Sequence, residues 1–365
     1  MKTVVCWVSL LFFLAIPTAS QTQERVPLGV ILPLTGDGAF WGQNPKQGIE
    51  LALEDIKLVS KETKIRFVFE DDRCSAKDAV AAFHKLVEVD HVKMILGPSC
   101  SSAAAAVAPL AEKHRVIMLV FAESDEIRTG TYVRRLWIPN SLQGRRLAQY
   151  AFDRKFRSVA VVATQNAFGL SISESFSRKF TALGGTIVAH QEYDPSTTTF
   201  RSHLIRVVSA KPDALFFASY IKDGAILVRQ ARAIGLTQPL LGPSTINSPE
   251  FFDATKSYTD GLALADLEDS STAEFKERWR ERFKSNYPGI QSGAPLFYDM
   301  TMLIEKHLQQ HDIETLGEYL RLVDYSGASG RIRFTSDGNL DRQHVLYRVQ
   351  AGILERVPEA SKGID

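Results

Sequence analysis

The stretch V-I-L-P-L-T-G-D-G-A-F-W-G, Val30 to Gly42, passes from a short apolar run through three glycines and into a helical pattern. Strand, glycine turn and helix in that order open a parallel α/β unit, and a dinucleotide-binding loop shares the arrangement. The spacing separates the two readings. A dinucleotide fingerprint requires Gly-x-Gly-x-x-Gly, whereas the glycines here stand at 36, 38 and 42, one residue too far apart, and Pro33 interrupts the approach. The acidic residue that would meet a ribose about 20 positions on falls in the segment Lys57 to Ser60, which carries no carboxylate. The stretch therefore reads as a loop at a strand's end that presents Phe40 and Trp41 to a cleft.

Outward from this loop the unit repeats. Leu28–Leu32, Ile65–Phe69, Val92–Leu96 and Val116–Val120 are apolar strands, and helical spacing predicts helices over Gln47–Lys57, from Ala76 to Leu86, and over Ser102–Lys113. The pattern restarts after Asn140. Strands are predicted at Val159–Ala163, Thr186–Ala189, Ala214–Ala218 and Pro239–Gly242, with helices at Leu147–Phe152, Ser173–Leu183, Phe200–Ser209 and Gly224–Ile234. Alternating strands and helices predict parallel sheets covered on both faces. Two such lobes in series, facing each other, make a cleft at the carboxyl ends of the strands. After Asp269 the helical patterns Ala273–Ser285 and Leu296–Gln309 lack a full strand set of their own and must complete one or both lobes.

Composition bounds the partners. The chain has 365 residues, 45% hydrophobic and 23% charged, with a formal net charge of +1, which leaves no electrostatic footprint for nucleic acid. Residues 1–20 read as a cleaved secretory signal: Lys2, an apolar run from Val4 to Ile16, then Pro17-Thr18-Ala19-Ser20 before Gln21. The apolar run is shorter than the roughly 20 residues that span a bilayer, and no later segment is long enough. An exported chain that is not membrane-spanning follows. With Cys6 removed, Cys74 and Cys100 remain in an oxidising compartment, where a disulfide is the default and two separate buried thiols the alternative.

No catalytic constellation emerges. Gly97-Pro98-Ser99-Cys100-Ser101 lacks the final glycine of a nucleophile elbow. His307 and His311 stand four apart on a predicted helix, but Leu308-Gln309-Gln310 carries no catalytic glutamate, and a solvated face is the commoner meaning of the spacing. The sequence predicts no enzyme, no metal site and no cofactor.

Several stretches together resemble the periplasmic solute-binding proteins of the leucine/isoleucine/valine type, which feed ABC importers. They are L-G-V-I-L-P-L-T-G (28–36) with F-W-G-Q (40–43), E-D-D-R-C-S-A-K-D-A-V (70–80), I-L-G-P-S-C-S-S (95–102), P-N-S-L-Q-G (139–144) and R-Q-A-R-A-I-G-L (229–236). The resemblance covers nearly all of the mature chain. It implies two doubly wound α/β lobes joined by a three-stranded hinge, with the ligand in the interlobe cleft. The first lobe would be residues 21–139 plus 269–334, the second 140–268 plus 335–365. It also implies a Cys74–Cys100 bridge, a periplasmic location and an inner-membrane ABC permease as partner. A ligand-sensing protein of the same fold, reporting to a partner other than a transporter, is the alternative.

Site residues carry over one at a time. Ser101, followed by Ser102, matches the serine and helix-start amides that hold a ligand carboxylate; an N-cap role is the alternative for Ser101, and an N-cap serine facing a cleft can do both. Trp41 and Tyr220 match aromatic residues that line the ligand. Phe168 stands where the family has a tyrosine, and Glu123 and Ser124 occupy the loop after the fourth strand. Ser244 departs most: the L-G-P-x loop of amino-acid binders carries an acid for the ligand ammonium, and L-G-P-S-T has none. Either Glu123 supplies that charge from the other lobe, or the solute is an amide, a urea or a simple organic acid. Ser244 and Phe168 both depart toward fewer polar and charged contacts, which favours a solute without an ammonium.

Overall fold

The computed structural model describes residues 25–60, 62–350 and 353–358. Residues 1–20, read above as a signal and containing Cys6, and the last residues assigned to the second lobe lie outside them.

A first parallel sheet is built from β1 (Val26–Leu32), α1 (Phe40–Ser60), β2 (Ile65–Asp71), α2 (Ala76–His84), β3 (Met94–Leu96), α3 (Ser101–His114), β4 (Ile117–Val120) and β5 (Val133–Arg135). Its five strands run in the order β2-β1-β3-β4-β5. Strands β1, β3 and β4 are nearly continuous apolar runs because both faces are covered. Leu28, Val30 and Leu32 face one core with Met94, Leu96 and Leu119, while Ile31, Ile95, Met118 and Val120 face the other.

The second sheet follows with α4 (Asn140–Asp153), β6 (Ser158–Thr164), α5 (Ala167–Ala182), β7 (Thr186–Tyr193), α6 (Arg201–Ser209), β8 (Ala214–Ala218), α7 (Ile221–Ala233), β9 (Leu240–Gly242), α8 (Pro249–Thr255) and β10 (Ala263–Leu267). The remaining elements are α9 (Ala273–Phe283), α10 (Ala294–Leu308), α11 (Leu316–Leu322), β11 (Asp324–Gly327), β12 (Gly330–Arg333), β13 (His344–Gln350) and β14 (Ile353–Arg356). The second sheet has the order β14-β13-β10-β9-β8-β6-β7, with β13 and β14 antiparallel to their neighbours.

The segment after β10 divides. Phe297, Met300 and Ile304 of α10 join the core of the first sheet, whereas β13 pairs with β10 in the second. Helix α10 lies so close to α1 that a Cβ on Gly48 would meet the Ala294 carbonyl oxygen at 2.1 Å. Glu305 of α10 accepts from the Thr63 hydroxyl at 2.8 Å and the Lys64 amide at 2.9 Å. Asp299 accepts from the Ala328 and Ser329 amides, both at 2.7 Å, and so ties down the turn of the β11–β12 hairpin.

Two local features correct the sequence reading. Helix α1 begins at Phe40, seven residues before the predicted Gln47, and runs through Pro45. Phe40 and Trp41 therefore stand on its first turn and not in a loop. Proline removes the N–H that would bond the Trp41 carbonyl, and the Ser99 hydroxyl donates to that carbonyl instead, at 2.7 Å. Helix α3 starts at Ser101 with Cys100 as its N-cap, so Ser101 is the first helical residue and not the cap.

Cys74 and Cys100 are disulfide-bonded, Cα to Cα 5.2 Å. The bridge joins the loop after β2 to the start of α3. His307 has its own partners: it meets the Thr315 hydroxyl at 2.9 Å and stacks on Tyr319 at 4.6 Å. Among the described residues no three His, Cys, Asp or Glu side chains converge as a metal site, and no helix is long and apolar enough to cross a membrane.

Candidate functional site

The carboxyl ends of β1, β3, β4, β6, β8 and β9 release the loops that meet between the lobes. After β3 the chain turns at Gly97, whose φ of +93° and approach to the Ile31 carbonyl, 2.0 Å for an added Cβ, admit no side chain. This turn delivers Ser99 and Ser101. After β4 the chain continues as Phe121-Ala122-Glu123-Ser124, and after β9 it folds into a short helical turn at Ser244–Ile246. Tyr220 precedes α7, and Phe168 is the second residue of α5.

These loops enclose an inner cavity of about 30 Å³. Six of the eight predicted residues line it: Trp41, Ser101, Glu123, Phe168, Tyr220 and Ser244. Trp41 of the first lobe and Tyr220 of the second lie 5.2 Å apart between ring centroids, and Tyr220 stacks on Phe168 at 4.9 Å. Ser102 faces a separate outer chamber of about 370 Å³ at the cleft mouth. Ser124 lines neither: its hydroxyl accepts from the Glu126 amide at 3.2 Å, and its own amide donates to the Ser101 hydroxyl at 3.2 Å. It shapes the loop that carries Glu123.

Glu123 is buried, and its Oε1 accepts from the Ser244 hydroxyl across the cleft at 2.7 Å. Its other oxygen makes no well-aligned hydrogen bond within the protein, although the Trp137 indole lies close enough to favour its charge. Burial pushes the carboxyl up to about 7, against the opposing pull of Ser244, the Trp137 indole and the Arg135 charge. Arg135 is itself buried, its guanidinium donating to the carbonyls of Glu123 and Ser124, both at 2.9 Å, and of Ile127 at 2.7 Å. It braces the loop's backbone and leaves the carboxylate free to face the cavity.

Ser244 is held from behind. Gln143 donates to its hydroxyl at 2.9 Å and meets His344 Nε2 at 3.1 Å, while burial drives His344 down to about 3, keeping it neutral. The Ser244 hydroxyl thus accepts from Gln143 and has its proton available for an acceptor in the cleft.

Sequence reasoning missed Ser99, Phe121, Trp137, Thr245 and Gln291, all of which line the inner cavity. Phe121 and Thr245 adjoin predicted residues on the same loops, so the strand-end rule could have found them. Trp137 reads as core, and indeed packs on Phe121 at 5.0 Å. Gln291 arrives from the returning segment, for which no local pattern exists.

Comparison with known proteins gives this geometry a lineage. The periplasmic binding protein family profile matches residues 25–353. The chain belongs to the periplasmic binding protein family. Members of this family are solute-binding proteins and not enzymes. A Leu/Ile/Val-binding protein of Rhizobium johnstonii is 24% identical over 346 residues, 92% of this chain and 94% of its own. Among solved structures, a branched-chain amino acid substrate-binding protein of Streptococcus pneumoniae in complex with isoleucine superposes with a TM-score of 0.81 at 21% identity, covering 92% of this chain and 99% of its own. An ABC-transporter solute-binding protein of R. palustris in complex with benzoate superposes equally well, TM-score 0.81 at 20% identity, covering 92% and 96%. The shared fold is two parallel-sheet α/β lobes.

Proposed function

We propose that this periplasmic binding protein is exported behind a cleaved signal, closes its lobes on a small α-amino acid and delivers it to an ABC import permease of the inner membrane. The observation that carries this reading is the contact between Glu123 Oε1 and the Ser244 hydroxyl at 2.7 Å. It puts a carboxylate of the first lobe beside the second-lobe position where the amino-acid pattern lacks its acid, with one oxygen still without a well-aligned hydrogen bond. A buried carboxylate in a largely aromatic cavity calls for a cation or a strong donor. Ser101 at the start of α3 offers the complementary end, a hydroxyl and helix-start amides for a carboxylate. The rings of Trp41, Phe168 and Tyr220 supply the apolar wall for a side chain.

The inner cavity, about 30 Å³, has room for one or two waters. An amino acid therefore enters with the lobes apart and, on closure, takes over the direct Glu123–Ser244 contact. A ligand drives such closure only as far as it touches both lobes. The Rhizobium and Streptococcus relatives, named for or bound to branched-chain amino acids, support this class. The benzoate complex supports a second reading, an aromatic acid, and the ring-rich wall with a carboxyl pushed up to about 7 is compatible with it. Isothermal titration calorimetry with leucine, isoleucine, valine, alanine and benzoate separates them. Saturable binding of at least one amino acid with none of benzoate is expected, and the reverse would replace the amino-acid reading.

A further inference from the structure

The outer chamber, about 370 Å³, lies between the lobes and shares Trp41 and Tyr220 with the inner cavity, so this ring pair stands between the two spaces. Its first-lobe wall is the Cys74–Cys100 disulfide with Ser102; its second-lobe wall comes from Asn166, Thr197 and Thr198. The charged groups around it already have partners. Lys222 pairs with Asp37 at 2.9 Å, and Arg73 with Asp78 at 2.7 Å. Asp223 accepts from the Tyr193 hydroxyl and from the Gly224 amide. By contrast, among the described residues the hydroxyls of Ser102, Thr197 and Thr198 have no hydrogen-bond partner within the protein.

A chamber more than ten times the size of the inner cavity (370 against 30 Å³), walled by both lobes, rich in unengaged hydroxyls and lined by charges of both signs, Asp37 and Asp223 against Arg73 and Lys222, fits one kind of guest. A charged tail of either sign would meet like charges in that lining, and a purely apolar tail would desolvate hydroxyls without return. We propose that the outer chamber is a second subsite for the same solute, taking an uncharged hydrogen-bonding tail, amide, urea or hydroxyl, that passes beside the Trp41–Tyr220 ring pair while the head is held at Glu123 and Ser101. This rests on the head-group reading above and narrows the solute from a branched-chain amino acid to one with an extended polar side chain. Hydroxyls from both lobes, Ser102 on one and Thr197 and Thr198 on the other, make the tail a closure contact as well as a specificity contact.

The test is calorimetric titration of the full mature protein with two matched pairs: citrulline against norleucine, and their counterparts without the amino group, 5-ureidopentanoate against hexanoate. Citrulline is expected to bind about tenfold tighter than norleucine, the worth of one or two hydrogen bonds. The double variant Thr197→Ala with Thr198→Ala should erase most of that advantage with norleucine shifted by less than about twofold, and Ser102→Ala separately should erase most of it as well. Equal affinities within the pair, or an advantage that survives both variants, would overturn the second subsite. If neither amino acid binds but the ureido acid does, with the same loss in the variants, the amino-group reading fails and the subsite stands. If neither ureido compound binds, the subsite is refuted.

Discussion

Replacing Glu123 by Gln removes one charge from the inner cleft with almost no change of volume, and its consequences have opposite signs with and without solute. Burial lifts the carboxyl from 4.5 to about 7, so ionising it in the closed cavity costs about 3 kcal/mol at about 1.36 kcal/mol per pH unit. The raised value makes the direction plain: the cost is absent below pH 4.5 and complete above pH 7. Without solute, wild-type protein at pH 8 is therefore pushed toward open lobes, and Glu123→Gln is freed from that push. With an ammonium-bearing solute the same carboxylate becomes the counter-ion. Its removal leaves a desolvated cation unpaired, at about 3 to 5 kcal/mol or two to four decades of affinity. Wild-type affinity for an amino acid should rise with pH between about 4.5 and 7 as the carboxylate forms, then level off, while the variant stays flat. Calorimetry at pH 5.5, 7 and 8.5 reads both effects. A loss of less than about tenfold in Glu123→Gln, with an unaltered pH profile, would refute the reasoning.

Three further outcomes follow from the fold. Replacing Cys74 and Cys100 together by Ser should lower unfolding stability by about 3.5 kcal/mol in the chain-entropy model for a separation of 26 residues, read from urea denaturation; an unchanged midpoint would mean that the bridge does not constrain the unfolded chain. Gly48→Ala would set a methyl group 2.1 Å from the Ala294 carbonyl oxygen and should destabilise by about 1 to 3 kcal/mol, whereas a wild-type melting temperature would contradict the close packing of α1 on α10. Solute at a hundredfold excess over its dissociation constant should stabilise the protein by about 2.7 kcal/mol and make it more compact in small-angle scattering; saturation with no change in the scattering curve would remove hinge closure.

The buried central strands were legible because parallel strands covered on two faces must be apolar throughout, and Ala214–Ala218 matches its predicted bounds. Legibility failed where a rule was broken and then repaired from elsewhere. The start of α1 was hidden by Pro45, and the repair is a hydroxyl 58 positions away in sequence, Ser99. Strand β5, Val133-Arg134-Arg135, did not read as a strand because two arginines lie in it. Arg135 is tolerated there because three carbonyls receive its guanidinium. Strands β13 and β14 lie beyond the repeating unit and pair antiparallel, so the alternation that revealed the other strands was silent about them.

The same limit governs the candidate site. The family resemblance brought Trp41, Ser101, Glu123, Tyr220 and Ser244 into view, and all five line the inner cavity, beyond the strand ends where loops of a doubly wound lobe converge. What the chain could not disclose is which of them touch. Glu123 and Ser244 are 121 residues apart, and only the closed arrangement of the lobes brings carboxylate and hydroxyl together. Gln143 and His344 behind Ser244 belong to the same contact and were invisible for the same reason.

The most direct test of an amino-acid-binding cleft is native mass spectrometry of protein purified without denaturation, with the released small molecule identified. The account predicts a one-to-one adduct that carries a primary amine and a carboxylate, present on the wild type and lost from Glu123→Gln. An adduct without an amino group, retained equally by both proteins, would contradict it.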